Sequence, residues 1–322
     1  MDSCELRKIG QGFCGTVWAA STGPAFKRED GGPGRSLKND WDMHRKVLQS
    51  FEASKSLCLR TRVPACYDFI KSNDSTWWSA NQGKFPSGYT PCNILVSQRI
   101  PPFSDKTRAL LIQEYCPKSI MPRILASEPD KDCLIRPYLG RRRFRKSSSA
   151  PTRFSAFSLR NFPLHVDQME SLGVTSQEMS QYAMAMAETL AIMHWSCEID
   201  GNDIEFVLAP ATSPENSLTL QSAVLGEHSV WVLDFDVCRS MAMDSDGVKQ
   251  AVTAFWRNDP FYPRPEPTTH TNPLWKTFRE HYLLTSKSCR SERHPLAMKF
   301  SDLVEQEGIR RGAQKSNTYA AS

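Results

Sequence analysis

Residues 230–239 read VWVLDFDVCR, and the chemistry they offer lies in two carboxylates, Asp234 and Asp236, set two positions apart. The four apolar residues before them, Val230 to Leu233, have the length and composition of a buried β-strand, so the acids stand at its end. Side chains alternate along an extended chain, so both carboxylates leave on one face while Phe235 turns into the protein. Two such groups suit Mg²⁺, which takes one or two hard oxygen ligands and completes its shell with water and phosphate. A solvated turn after a core strand fits the same stretch.

Near the N-terminus, Gly10, Gly12 and Gly15 in IGQGFCGTV form a GxGxxG pattern between β-type residues. Glycine there lets a strand-turn-strand hairpin bring backbone N–H groups close to phosphate oxygens with no Cβ in the way. Alone, the pattern is only a turn signal. Ala25-Phe26-Lys27 follows, and a lysine on the strand after such a hairpin can meet nucleotide phosphates as a point charge. Asn39 to Phe51 carries an approximate helical stripe of Trp41, Met43, Val47, Leu48 and Phe51, with Asn39 expected as the N-cap. Asp40, and after it Asp42, is the candidate carboxylate for pairing with Lys27.

A further acidic pair follows the clearest helix of the chain, Thr175 to Trp195. There Thr175 and Glu178 make a capping box, and Met179, Tyr182, Met186, Leu190 and Met193 recur at helical steps. Asp200 and Glu205 then flank a turn containing Gly201 and Asn202, just before the strand entry Glu205 to Leu208. His194 and Cys197 form an HxxC pair. No second pair with ligand spacing and no CxxC occurs among the ten cysteines, so no zinc is expected.

The elements that must position these groups read as a β-rich first part and a mainly helical second. Arg62 to Ile70 and Ala109 to Tyr115 have strand composition. Glu114, Tyr115 and Cys116 would begin a linker, with Pro117 and Pro122 breaking sheet geometry. Helices are expected over Asp244 to Trp256, Leu274 to Leu284 and Leu296 to Gln306. Between them RNDPFYPRPEP, with four prolines, either lines the acceptor side of a cleft, where Arg257, Asn258 and Asp259 offer recognition chemistry, or packs Phe261 and Tyr262 on a helix. From Cys133 to Val166 no acidic residue interrupts Arg136, Arg141, Arg142, Arg143, Arg145, Lys146, Arg153 and Arg160. A solvated loop, a nuclear-import signal and an anionic-partner patch all fit that composition, and Ser147, Ser148 and Ser149 there could be phosphorylated.

With 322 residues, 40% hydrophobic and 23% charged, the chain has the composition of a folded globular protein. A net charge of +5 argues against a general nucleic-acid binder. No run of 18 apolar residues and no signal pattern at MDSCELRKIG is present, so no membrane partner is expected and the setting reads as intracellular, cytoplasmic or nuclear.

Taken in chain order, IGQGFCGTV, AFK, LLIQEYC, DGNDIEFVL and LDFD resemble the protein-kinase-like fold. The resemblance implies an α+β protein of two lobes. Residues 1–116 would be a small β-rich N-lobe and 117–307 a larger, mainly helical C-lobe with a basic insertion near 136–160; 308–322 would be a flexible tail. It implies ATP and Mg²⁺ as cofactors, with Gly10, Gly12, Gly15, Lys27, Glu114 and Cys116 around the nucleotide. Asp200 matches the Asp that orients the hydroxyl nucleophile or takes its proton, and Asp234, Glu205 and Asp236 match the metal ligands.

The departures also count. Glu205 stands where Asn is usual, Glu198 replaces the His two residues before the catalytic Asp, and Asp236 replaces the glycine of DFG. The D-x-D ending is more similar to aminoglycoside and choline phosphotransferases, and no APE motif follows. The chain is also similar to an uncharacterised fungal family through SLRNFPLHVDQM, MHW, LDFD and RNDPFYPRP. That family is often labelled zinc finger protein, a label the cysteine spacing does not support. Mg-ATP-dependent phosphoryl transfer to a hydroxyl or amine acceptor is one expectation. A catalytically degenerate kinase-fold binding or scaffolding module, a pseudokinase candidate acting through an unknown protein partner, is the alternative. Nucleic-acid association through the basic loop is the third.

Overall fold

A computed structural model describes residues 5–143, 157–211, 218–265 and 272–320; Arg145, Lys146, Ser147 to Ser149 and Arg153 of the basic stretch lie outside them. The chain begins with β1 (Arg7–Gln11), β2 (Thr16–Ala19) and β3 (Ala25–Arg28), then α1 (Leu37–Ala53), β4 (Thr61–Arg62), β5 (Cys66–Ile70), α2 (Ser75–Asn81) and β6 (Ile94–Ser97). An antiparallel sheet takes the order β1-β2-β3-β6-β5. The β1-β2 hairpin closes where the Gly12 N–H donates to the Gly15 carbonyl at 2.8 Å. A Cβ at Gly15 would fall 2.0 Å from the Arg28 carbonyl, so the close pass of the hairpin over the end of β3 requires glycine there.

The later chain supplies α3 (Asp105–Tyr115), α4 (Met121–Leu125), β7 (Ile135–Tyr138), β8 (Phe162–His165), α5 (Val166–Leu172), α6 (Ser176–Trp195), β9 (Glu205–Pro210), β10 (His228–Leu233), α7 (Ser245–Arg257), α8 (Pro273–Cys289) and α9 (His294–Ala320). The fold is therefore mixed α+β, with a β-rich N-terminal region and a largely helical C-terminal part. That second part also carries a sheet of order β4-β10-β9-β7-β8, which the expectation of a mainly helical body omitted. Its strand β4 comes from the early chain and runs parallel to β10.

Helix α6 is the hub of the larger core. Its capping box closes as the sequence implies, Thr175 accepting from the Glu178 N–H and Glu178 accepting from Thr175, worth about 1 kcal/mol at such a position. Met179, Tyr182, Met186, Leu190 and Met193 are all buried, as packing residues rather than ligands. Phe255, Tyr262, Phe278, Tyr282 and Phe300 stack edge and face against one another beside it.

Two sequence expectations fail in informative ways. Residues 109–115 are not a strand but the end of α3, which begins two residues after Phe103 and buries Thr107, Arg108, Leu111 and Ile112. A short apolar run has no resolvable period, and the start signal Ser104-Asp105 lies upstream of it. The single strand expected over 62–70 is two strands of different sheets, β4 and β5, separated at Val63-Pro64-Ala65. Proline lacks the N–H that a continuous ladder needs. Among the described residues no helix is long and apolar enough to cross a membrane.

Candidate functional site

Lys27 lies on β3 between Val17 of β2 and Leu95 of β6, and its side chain leaves the first sheet toward the second. Its Nζ donates to Asp40 Oδ2 at 2.6 Å and to Asp234 Oδ1 at 2.7 Å. Asp40 is in the first turn of α1. The cap of that helix is Ser36, whose hydroxyl accepts the Asn39 N–H, so Asn39 is not the N-cap expected from the sequence. Asn39 instead donates its side-chain amide to the carbonyls of Asp236 at 2.9 Å and Cys238 at 3.0 Å. Asp40 Oδ1 accepts the Phe235 N–H at 3.1 Å, which fixes α1 to the LDFD segment. Asp42 turns outward to Lys38.

Asp234 follows β10 directly and takes φ +66°, a left-handed conformation that Asp tolerates better than most residues. Phe235 is buried, as alternation required. The three charges hold one another. Burial works against the Lys27 ammonium, but Asp234 and Asp40 keep its pKa well above the ordinary value. Burial alone would raise Asp234, yet Lys27 and a hydrogen bond from Asp236 hold it below the usual carboxylate range. Asp236 itself is pushed up to about 6, first by burial and then by the adjacent Asp234 charge.

Glu205 opens β9 opposite Leu233, which brings it beside Asp234. It forms an ion pair with Arg136 of β7, and burial, reinforced by Asp234 and opposed by Arg136, lifts it to about 7. Arg136 Nη1 also stands 3.7 Å from Asp259, whose carboxylate accepts from the Tyr138 hydroxyl at 2.6 Å. On the other side, Arg35 reaches both oxygens of Asp236 and Asp203 Oδ2, each at 3.1 Å. Six carboxylates thus face three cations, and the side chains of Lys27 and Asp234 keep 16% and 29% exposure, which leaves the cluster open to a ligand.

Asp200 is different. One oxygen accepts the Asn202 and Arg239 N–H groups at 3.2 and 2.9 Å, the other the Gln250 amide at 2.8 Å, and its side chain has no exposure. The adjoining turn is held by Asn258, which accepts the Asp203 N–H at 2.6 Å and donates to the Gly201 carbonyl at 2.8 Å. Of the RNDPFYPRP segment, Phe261 and Tyr262 are core residues. His194 is buried against the Tyr282 hydroxyl at 2.8 Å, and burial lowers its pKa to about 3, so it is neutral.

The structure therefore gathers Lys27, Asp40, Asp234, Asp236 and Glu205, and keeps Asp200 closed in its own turn. Gly10 and Gly15 sit in the hairpin and Gly12 faces open space. Glu114 projects into solvent from the last turn of α3 and Cys116, its C-cap, is buried in the larger core. The chain instead leaves the first sheet after Ser97, through Arg99, whose guanidinium donates to the Ala20 carbonyl at 2.6 Å and to Asp132 at 3.0 Å. Arg35, Arg136 and Asp203 escaped the sequence reading, and Asp259 stood in it only as a recognition group of RNDPFYPRP. Arg136 was visible only as one cation of a basic run, although its β-type neighbours Ile135 and Tyr138 marked a strand.

Hard oxygen donors suit Mg²⁺, and Asp234 and Asp236, two positions apart just after β10, fit that role. Glu205 is paired with Arg136 as Asp234 is with Lys27 and Asp236 with Arg35, so an ion at any of the three would compete with a cation already there. Among the described residues, no three His, Cys, Asp or Glu gather as a metal-holding group.

Residues 230–294 match the model of a family described as zinc finger protein. Within that span Cys238 donates to the Asn202 carbonyl and Cys289 to that of Ser286, so neither thiol is arranged as a zinc ligand. No curated protein matches the chain. Among solved structures, an aminoglycoside 2″-phosphotransferase in complex with GDP and kanamycin is similar at 9% identity and a TM-score of 0.28, covering 98% of this chain and 93% of that one. A GDP complex of a mutant aminoglycoside phosphotransferase gives 8%, 0.26, 98% and 93%. Scores this low do not define a shared fold.

Proposed function

We propose that the crevice at Lys27 binds a nucleoside triphosphate with a divalent cation, and that the protein is a kinase-like phosphotransferase acting on a hydroxyl or amine acceptor. The observation that carries this reading is the meeting of Lys27 with Asp40 and Asp234, drawn from a strand, a helix and the end of a strand in the other sheet, beneath a glycine-rich hairpin. In this reading the first sheet is the N-lobe, and the second sheet with its helices is the C-lobe.

Phosphoryl transfer asks a protein mainly for positioning and charge compensation. Lys27 would shift from Asp234 toward phosphate oxygens while Asp40 keeps it oriented, and hairpin N–H groups would cap the phosphates. Asp234 with Asp236 would hold Mg²⁺, which when bound neutralises charge on the transferring group. Glu205 would keep Arg136 beside the acids. Calorimetric titration with ATP and MgCl₂ tests the reading: saturable binding supports it, and no heat of binding at millimolar nucleotide removes it.

A second reading, nucleotide binding without turnover, is favoured by the complete enclosure of Asp200. A general base must reach the proton it takes. Turnover of ATP that vanishes in Asp200→Asn would exclude this second reading.

A further inference from the structure

We infer that Arg35 is an internal, exchangeable cation of the crevice, which competes with a divalent ion for Asp236 and in doing so governs how firmly the glycine-rich hairpin is held down. The inference rests on the proposed nucleotide and metal reading and adds its regulation.

Arg35 lies in the segment between β3 and α1, one residue before the Ser36 cap. Its Nη1 donates to Oδ1 and Oδ2 of Asp236 and both Nη atoms to Asp203 Oδ2, all at 3.1 Å. Its Cζ also lies 5.2 Å from the ring centroid of Phe13 at the hairpin tip, a cation–π distance. One side chain therefore joins the hairpin, the LDFD segment and the turn before β9. The backbone of its own segment is tied to the same tip, with Gly31 N–H donating to the Cys14 carbonyl and Gly32 N–H to that of Phe13, each at 3.1 Å.

The chemistry makes the contact exchangeable. A carboxylate whose two oxygens share one guanidinium nitrogen keeps its outer lone pairs, but a second cation brought to them meets the guanidinium charge at short range, so the two compete for Asp236. A Mg²⁺ or Mn²⁺ ion at its usual distance of about 2.1 Å from those oxygens would repel the guanidinium, so metal entry weakens the hold of Arg35 on Asp236. If Arg35 withdraws, Phe13 loses its cationic partner, and because its ring is 79% exposed the tip is left with the backbone bonds from Gly31 and Gly32. Metal entry thus loosens the hairpin tip. Asp203 is the anchor that keeps Arg35 in place without itself being tied to Lys27.

The test uses the full chain and Mn²⁺ alone, followed by electron paramagnetic resonance, with amide exchange of residues 11–16 as the second readout. Arg35→Gln should bind Mn²⁺ about tenfold more tightly than the parent, the scale expected for removing a competing ion pair. Its hairpin amides should exchange faster than the parent's, and adding Mn²⁺ to the parent should speed them toward the variant's rates. Asp203→Asn leaves Asp236 intact and should shift affinity the same way by a smaller factor, which keeps the test valid if Arg35→Gln folds poorly. Equal or weaker Mn²⁺ binding by the variants, no Mn²⁺ binding in any form, or hairpin exchange indifferent to Mn²⁺ would overturn the inference. A separate ATP titration distinguishes the two proposals: Mn²⁺ competition without ATP binding refutes the nucleotide reading and leaves the role of Arg35 standing.

Discussion

At Lys27 and at Asp200 the chain encloses carboxylates in opposite ways. The acids at Lys27 are met by an ammonium and two guanidinium groups from distant segments, and Asp234 retains solvent access. The acid at Asp200 is met by two backbone N–H groups, one amide and, at 3.5 Å, the exposed Arg239 guanidinium, and retains none. Charges matched by mobile, long side chains can trade partners with an incoming ion. A charge satisfied mainly by backbone holds a turn in shape, and removing it leaves buried donors unmet. Both regions came from one family-like motif set, yet their surroundings suit them to different work.

The sharpest way to break that contrast is Asp234→Ala. Loss of the acid that balances Lys27 should lower affinity for Mg-ATP by more than about 100-fold in calorimetry. Asp200→Ala should do the reverse, costing about 3 kcal/mol of stability because three donors lose their acceptor, with nucleotide affinity within about threefold of the parent. Denaturant melts with parallel titrations would separate the two; a stable Asp200→Ala protein that no longer binds would invert the comparison.

A smaller effect comes from pH. Glu205 is raised from 4.5 to about 7 in the folded protein, so its favourable contribution is complete below pH 4.5 and disappears as pH rises through 7. The parent should therefore lose stability relative to Glu205→Gln between pH 5 and pH 8, by on the order of 2 kcal/mol. A gap that stays constant over that range contradicts the assignment. Smallest of all, Thr175→Ala should cost about 1 kcal/mol through the α6 cap and leave both regions otherwise unchanged, which thermal melts and the same titration would show.

Much of this was legible in the sequence where one local pattern decides the outcome. The β10 strand, the hairpin glycines, Lys27 and the α6 capping box each follow from a few adjacent residues, and Asp40 followed from its place in the first turn of a helix aimed at that lysine. Where tertiary partners decide, the sequence was silent or misleading. Ala109 to Tyr115 has strand composition but belongs to a helix started at Ser104-Asp105. Glu205 had the spacing of a metal ligand, yet Arg136, distant along the chain, claims it. Asp200 had the spacing of a catalytic acid, and its burial depends on Gln250 and the Arg239 backbone. Arg35 carried no motif, because its role exists only once Phe13, Asp203 and Asp236 have been brought together.

The central claim is that the Lys27 ammonium faces the phosphates of a bound nucleotide. An acyl-phosphate derivative of ATP, which acylates amines lying beside its phosphates, tests this with the native chain and peptide mass spectrometry. We predict that Lys27 is the principal acylated lysine and that excess Mg-ATP protects it. Labelling spread over surface lysines, with Lys27 untouched or indifferent to Mg-ATP, would contradict the account.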